Sequence, residues 1–232
     1  MIDVRGFIET SFLDWDGKIT SVIFVPNCDF RCPYCSNSSL IKKIESLPPL
    51  DLEIIDEFLI KRQNFIDGVV ITGGEPTLQP DLPNYIRHLK SLGFLIKLDT
   101  NGSNPQMLKN LLSGKLLDYM AMDIKAPLDE RYYKVAAAQV DLNKIKESIR
   151  ILLDSDIDYE FRTTICPAFL SEKDIEDIAR AISGAKKYVL QQFVPKDTLD
   201  PEFEKIKPYP KEKLMTIAEL CQKYVKTQLR GV

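Results

Sequence analysis

Three of the chain's five cysteines fall inside one short stretch, PNCDFRCPYCSN, as Cys28, Cys32 and Cys35 at spacing C-x3-C-x2-C. Thiolates hold zinc or iron–sulfur clusters. A structural zinc site asks for four closed ligands, commonly as paired C-x2-C units. Here there is one such unit and no partner pair. Folding could bring in Cys166 as a fourth ligand, and the lone histidine, His88, lies far along the chain. The alternative is a cubane cluster. Three thiolates then hold three irons, and the fourth iron stays open to a substrate or cofactor. An open coordination position is where chemistry enters a metal site.

Two further groups stand after apolar runs. Gly73-Gly74-Glu75-Pro76 follows GVVIT. Two glycines let a backbone approach a ligand closely, and Glu75 can receive an ammonium group. The same four residues also suit a plain strand-to-helix turn with a solvated Glu75. Asp99-Thr100-Asn101 follows FLIKL, and Asp123 with Lys125 follows YMAM. Carboxylates ending adjacent parallel strands, about 4.8 Å apart, repel unless a cation or a basic side chain joins them. Lys125, Arg162 and a bound hard cation are candidates. Alternatively, both aspartates simply cap the turns that follow.

Something must bring these residues together. Short apolar runs read as buried strands at Val22–Val25, from Gly68, at Phe94–Leu98, Tyr119–Ile124, Tyr159–Ile165 and Tyr188–Phe193. Helical patterns lie between them: from Asp51, over Pro80–Leu92 closed by Gly93, and over Pro105–Leu112, Asp141–Leu153, Ser171–Ile182 and Lys211–Gln228. Strand and helix alternate about six times, the mark of parallel βαβ units. An open doubly wound sheet or a complete or partial β/α barrel fits, and in each the site lies at the carboxyl ends of the strands. The polar residues above sit at those ends. The long connections are Lys125–Val140 and Pro195–Pro210, where Tyr132, Tyr133, Phe203 and Tyr209 serve as loop packing or as anchors for a partner.

The 232 residues suit one α/β domain over 1–232, and 44% hydrophobic residues suffice for a core. With 31 basic residues against 34 acidic, no basic excess points to nucleic acid. No apolar run is long enough for a membrane span, and MIDVRGFIET is no signal peptide. A soluble cytoplasmic protein is expected, in a reducing compartment where clustered thiols bind metal rather than each other. Cys221 reads as an ordinary core cysteine.

Cys28, Cys32, Tyr34 and Cys35, with Gly-Gly-Glu-Pro and Asp-Thr-Asn-Gly beyond them, resemble the radical S-adenosylmethionine (SAM) signature. The stretch SFLDWDGKITSVIFVPNCDFRCPYCSN is most similar to glycyl-radical-enzyme activating proteins, and among these to the activating proteins of anaerobic ribonucleoside-triphosphate reductase. The resemblance covers nearly the whole chain. It implies a partial (β/α)6 barrel and one [4Fe–4S] cluster on Cys28, Cys32 and Cys35. It also implies SAM as cofactor, with Tyr34 near the adenine and Gly73, Gly74 and Glu75 at the amino end of the methionine moiety. Asp99, Thr100 and Asp123 resemble a monovalent-cation site beside the SAM carboxylate, where Lys125 and Arg162 would add positive charge. Pyruvate formate-lyase activating enzyme, a more distant relative, has a histidine late in the barrel. This chain has Gln191 and Gln192 there.

The implied activity is reductive cleavage of SAM to a 5′-deoxyadenosyl radical, which takes hydrogen from a glycine of anaerobic ribonucleotide reductase. Flavodoxin or ferredoxin would deliver the electron. Three rivals stay open: activation of another glycyl radical enzyme, radical chemistry on a small molecule such as a deazapurine precursor, and a non-catalytic zinc or electron-transfer module.

Overall fold

The computed structural model describes residues 2–232. Its strands are β1 (Gly6–Ser11), β2 (Thr20–Val25), β3 (Gly68–Gly73), β4 (Leu95–Thr100), β5 (Tyr119–Asp123), β6 (Asp158–Ile165), β7 (Tyr188–Gln192) and β8 (Thr227–Arg230). They lie in one sheet in chain order, with β1 antiparallel to β2 and the pairs β2–β3, β3–β4, β6–β7 and β7–β8 parallel. The helices are α1 (Ser39–Lys42), α2 (Leu52–Lys61), α3 (Leu82–Ser91), α4 (Pro105–Ser113), α5 (Arg131–Ala136), α6 (Leu142–Leu153), α7 (Glu172–Ala181) and α8 (Lys211–Cys221). Among the described residues, no helix is long and apolar enough to cross a membrane.

The chain divides into two compact units. The first runs to Cys28 and resumes over Ser39–Thr100 and Gln106–Met120. Its core strands are apolar on both faces: Val22 pairs with Val70, Ile23 with Ile71, and Ile71 with Leu98, all fully buried. Trp15 packs on Val22 and Val70 beside Phe24, Leu95 and Tyr119. Asp51 caps α2 by accepting a hydrogen bond from the Glu53 N–H, as its position before Leu52 leads one to expect. One residue breaks the apolar pattern. Lys97 lies in the middle of β4 with its side chain buried, donates to the Asp14 carbonyl and stands 5.5 Å from the Tyr119 ring centre.

The second unit holds Asp29–Ser38, Asn101–Pro105 and the chain from Ala121 onward. Ser171 caps α7 in a reciprocal capping box with Asp174. The last helix ends earlier than its sequence suggests. α8 stops at Cys221, and β8 follows where the helical reading extended to Gln228. The cause is Gln222. Its side chain donates to the Thr227 carbonyl and accepts from the Thr227 N–H, closing a tight turn into the strand. Three further elements, β1, α1 and α5, lie where no regular structure was expected.

Glu160 of β6 is buried and takes a bidentate hydrogen bond from Arg230 of β8 (2.7 and 3.1 Å) with Lys187 at 2.9 Å. Burial pushes this carboxyl up, but the Arg230 and Lys187 partners outweigh burial and bring it down to about 2. A depressed carboxylate stabilises the fold fully above its ordinary pKa and loses that contribution as pH falls. The wild type should therefore lose stability between about pH 4.5 and pH 2. Glu160→Gln should be less stable at neutral pH and show a shallower acid slope in urea titrations. Parallel curves at every pH would contradict this role for Glu160.

Candidate functional site

In the first unit, the end of β3 is locked to the end of β2. Gly74 N–H donates to the Val25 carbonyl (2.8 Å) and Glu75 N–H to the Asn27 carbonyl (2.7 Å). A Cβ on Gly74 would stand 1.8 Å from the Asn27 oxygen, and one on Gly73, whose φ is +119°, 2.4 Å from the Val25 oxygen. The glycines thus allow a close approach of one backbone to another. What they approach is the segment that leads into Cys28. Asn27 itself adopts φ 66°, a left-handed conformation that asparagine tolerates better than most residues.

Glu75 is fully buried, not solvated. Its Oε1 accepts from the Thr77 N–H (3.1 Å), the Thr77 hydroxyl (2.5 Å) and the Thr100 hydroxyl (2.7 Å). A buried carboxylate needs such donors, and they fix its direction. Thr100 ends β4, so Glu75 ties that strand end to the Gly-Gly loop. Asp99, also at the end of β4, has the Lys97 ammonium 3.6 Å from its Oδ1. Cys28 is half-buried and forms no disulfide.

In the second unit, Cys32 and Cys35 bracket a turn closed by a hydrogen bond from Cys35 N–H to the Cys32 carbonyl (3.0 Å). The segment is pinned by Arg31 N–H to the Ala136 carbonyl and by Asp200 N–H to the Pro33 carbonyl, each 2.8 Å. Tyr34 is buried against Phe169 and Phe193, and its hydroxyl has no hydrogen-bond partner among the described residues. Asp123 takes one hydrogen bond on each oxygen, from Arg162 Nε (2.8 Å) and Lys125 Nζ (2.9 Å). Burial raises the Asp123 carboxyl, but the Arg162 and Lys125 charges outweigh it and hold it well below the usual range. Burial likewise disfavours the Lys125 ammonium, and Asp123 more than restores it. This group of charges is therefore permanent at neutral pH.

Burial pushes the Cys32 thiol up to about 11, against the opposing pull of Lys125, and raises Cys35 as well. A buried thiol of this kind gives up its proton only to a strong positive charge, which bound metal supplies. Three thiols in one segment, with Cys32 buried, Cys35 half-buried and the Lys125 charge acting on both, fit an iron–sulfur cluster. Among the described residues, no three Cys, His, Asp or Glu side chains are gathered as ligands of a single ion.

The segment 195–210 packs over Tyr34's surroundings inside the second unit. Phe203 stacks on Phe169 at 5.2 Å, Tyr209 donates to the Leu170 carbonyl (3.0 Å), and Gln192 Nε2 donates to the Tyr209 carbonyl (2.8 Å). The Gln192 side-chain oxygen is buried without a partner among the described residues. Tyr132 is also buried, its hydroxyl accepting from the Lys125 N–H (3.3 Å). Phe203, Tyr209 and Tyr132 are thus packing residues, and only Tyr133 of the four loop aromatics is exposed, at 42%. Phe169, Phe193 and Lys97 carried no signal for the site. Aromatic residues in loops and a lysine inside an apolar strand have no spacing to betray them.

The Gly74 clamp makes a direct prediction. Gly74→Ala should cost about 1–3 kcal/mol or more, the range of overpacking, because backbone rather than a flexible side chain meets the new methyl. Urea denaturation of the metal-free protein would measure it. An unchanged midpoint would show that the loop does not hold the described approach.

The model of the radical SAM superfamily matches residues 22–183. A Methanocaldococcus jannaschii protein provisionally named glycyl-radical enzyme activating enzyme MJ1227 is 38% identical over 231 residues, 96% of this chain and 92% of that protein. A 7-carboxy-7-deazaguanine synthase of Neisseria meningitidis serogroup B is 34% identical over 144 residues, 62% of this chain and 58% of that protein. In structure, a domain of pyruvate-formate lyase-activating enzyme from Bacteroides vulgatus superposes with a TM-score of 0.58 at 19% identity, covering 71% of this chain and 99% of that one. The fold is accordingly the α/β partial barrel that the resemblance implies, one of the architectures the strand–helix alternation allowed. The chain belongs to the radical SAM superfamily, whose members are enzymes that work with a [4Fe–4S] cluster and S-adenosylmethionine.

Proposed function

We propose that this chain activates a glycyl radical enzyme, and that its protein substrate is anaerobic ribonucleoside-triphosphate reductase. The observation that carries the first half is the 38% identity to a provisionally named activating enzyme across almost the full length of both chains. The second half rests on the likeness of the stretch around the cysteines to activating proteins of that reductase.

Cys28, Cys32 and Cys35 would hold the cluster, and flavodoxin or ferredoxin would reduce it. When bound, the cluster and SAM supply an electron and a 5′-deoxyadenosyl radical that takes one hydrogen from a glycine Cα of the substrate protein. The chain's own residues position, charge and dry the site. Tyr34, between Cys32 and Cys35 in the chain, packs with Phe169 and Phe193 into an apolar cluster that would help keep water from the site. Lys125 and Arg162, fixed on Asp123, present positive charge suited to the carboxylate of SAM. Gly73, Gly74 and Glu75 set the loop that would face the amino end of SAM, with Glu75 oriented by Thr77 and Thr100. No side chain acts as acid, base or nucleophile in this reading.

A second reading, radical chemistry on a small purine-like molecule, draws on the 34% identity to a 7-carboxy-7-deazaguanine synthase over part of the chain. Electron paramagnetic resonance separates the two. Reconstituted, reduced protein mixed anaerobically with SAM and the reductase from the same source should produce a stable glycyl doublet, absent with Cys32→Ala. Formation of 5′-deoxyadenosine without the doublet, and its stimulation by the deazapurine precursor instead, would favour the second reading.

A further inference from the structure

The family resemblance implies a monovalent cation held by Asp99, Thr100 and Asp123, and the residues present do not fit one. Each of the three is engaged within its own unit. Asp123 accepts a hydrogen bond from a cationic donor on each carboxylate oxygen, on Oδ1 from Arg162 Nε at 2.8 Å and on Oδ2 from Lys125 Nζ at 2.9 Å. A cation seeking this carboxylate would meet two fixed positive charges within hydrogen-bond distance of it, and like charges at such range repel. Asp99 has the Lys97 ammonium 3.6 Å from its Oδ1.

Lys97 is not a casual neighbour. It precedes Asp99 by two residues in β4, so the two side chains leave the same face of the strand. Its side chain is only 2% exposed, and an ammonium buried that deeply needs an opposite charge and hydrogen bonds. The Asp14 carbonyl supplies one hydrogen bond, the Tyr119 ring lies 5.5 Å away, and Asp99 is the nearby carboxylate. Thr100 follows Asp99 directly in the same strand, so its side chain leaves the opposite face. Its hydroxyl is turned to Glu75 at 2.7 Å. Two adjacent strand residues facing opposite ways do not offer their side chains to one ion.

We propose that this protein binds no alkali cation through Asp99, Thr100 or Asp123, because Lys97 serves Asp99 within the first unit and Lys125 and Arg162 serve Asp123 within the second. Resting on the reading of the previous subsection, the affinity for SAM is then independent of sodium and potassium. The protein carries the positive charge covalently, where a bound ion would have to be recruited from solution.

The test measures SAM binding to the cluster-reconstituted protein by equilibrium dialysis in potassium, sodium and tetramethylammonium chloride at one ionic strength. Dissociation constants within about twofold across the three salts are expected. Binding roughly tenfold weaker in tetramethylammonium than in both alkali salts would overturn the proposal. Absence of SAM binding in every salt would count against the proposed function, and the ion question is then decided on the metal-free chain. Its thermal midpoint should be the same in all three salts, because an ion that binds the folded state raises the midpoint. A rise specific to potassium or sodium, growing with its concentration, would overturn the proposal.

Discussion

The arrangement of the first unit depends on one close approach. Gly74 lies so near the Asn27 carbonyl that no side chain fits between them, and two backbone hydrogen bonds hold it there. That contact fixes the exit of β3 against the exit of β2, from which the cysteine segment starts. Glu75 extends the lock to β4 by accepting from Thr100. Three strand ends are therefore set by residues that carry no chemistry of their own. A loop built this way loses its freedom before any cofactor arrives, and a cofactor bound there need not supply the ordering.

The second unit solves a different problem, that of placing charge where water is scarce. Arg162, Lys125 and Asp123 neutralise and orient one another through paired hydrogen bonds, while Tyr34, Phe169 and Phe193 provide the apolar surroundings. Low-dielectric surroundings strengthen each of these interactions and would make any unpaired member costly. The Glu160, Arg230 and Lys187 group repeats the device between β6 and β8. Positive charge held in fixed positions near buried thiols is what a negatively charged, thiolate-bound cluster and a carboxylate-bearing cofactor would meet with least reorganisation.

Much of this is legible in the sequence because the strands are short, apolar and separated by helices with clear caps. Gly73, Asp99, Thr100 and Asp123 fall at strand ends as the alternation requires. The cysteine spacing carries its meaning in a single segment. Other features depend on partners distant in sequence. Lys97 looks like a stray polar residue until Asp14 and Asp99 are placed around it. Glu75 reads either as an acceptor for an ammonium group or as a solvated turn residue, and its burial against Thr100 removes the second. β8 is hidden because Thr-Gln-Leu-Arg continues the helical pattern of α8, and only the Gln222–Thr227 pairing breaks it. The two glycines point to a close approach, but spacing cannot say that the backbone at Val25 and Asn27 comes near.

In the proposed function the three clustered thiols hold an iron–sulfur cluster with one iron open to SAM. Anaerobic reconstitution, with analysis of iron and acid-labile sulfide and the resonance spectrum of the reduced cluster before and after SAM, tests it most directly. One [4Fe–4S] cluster per chain and a spectrum that changes when SAM is added are expected, both lost when Cys28, Cys32 or Cys35 is replaced by alanine. Tightly held zinc without sulfide, or a cluster whose spectrum ignores SAM, would contradict it.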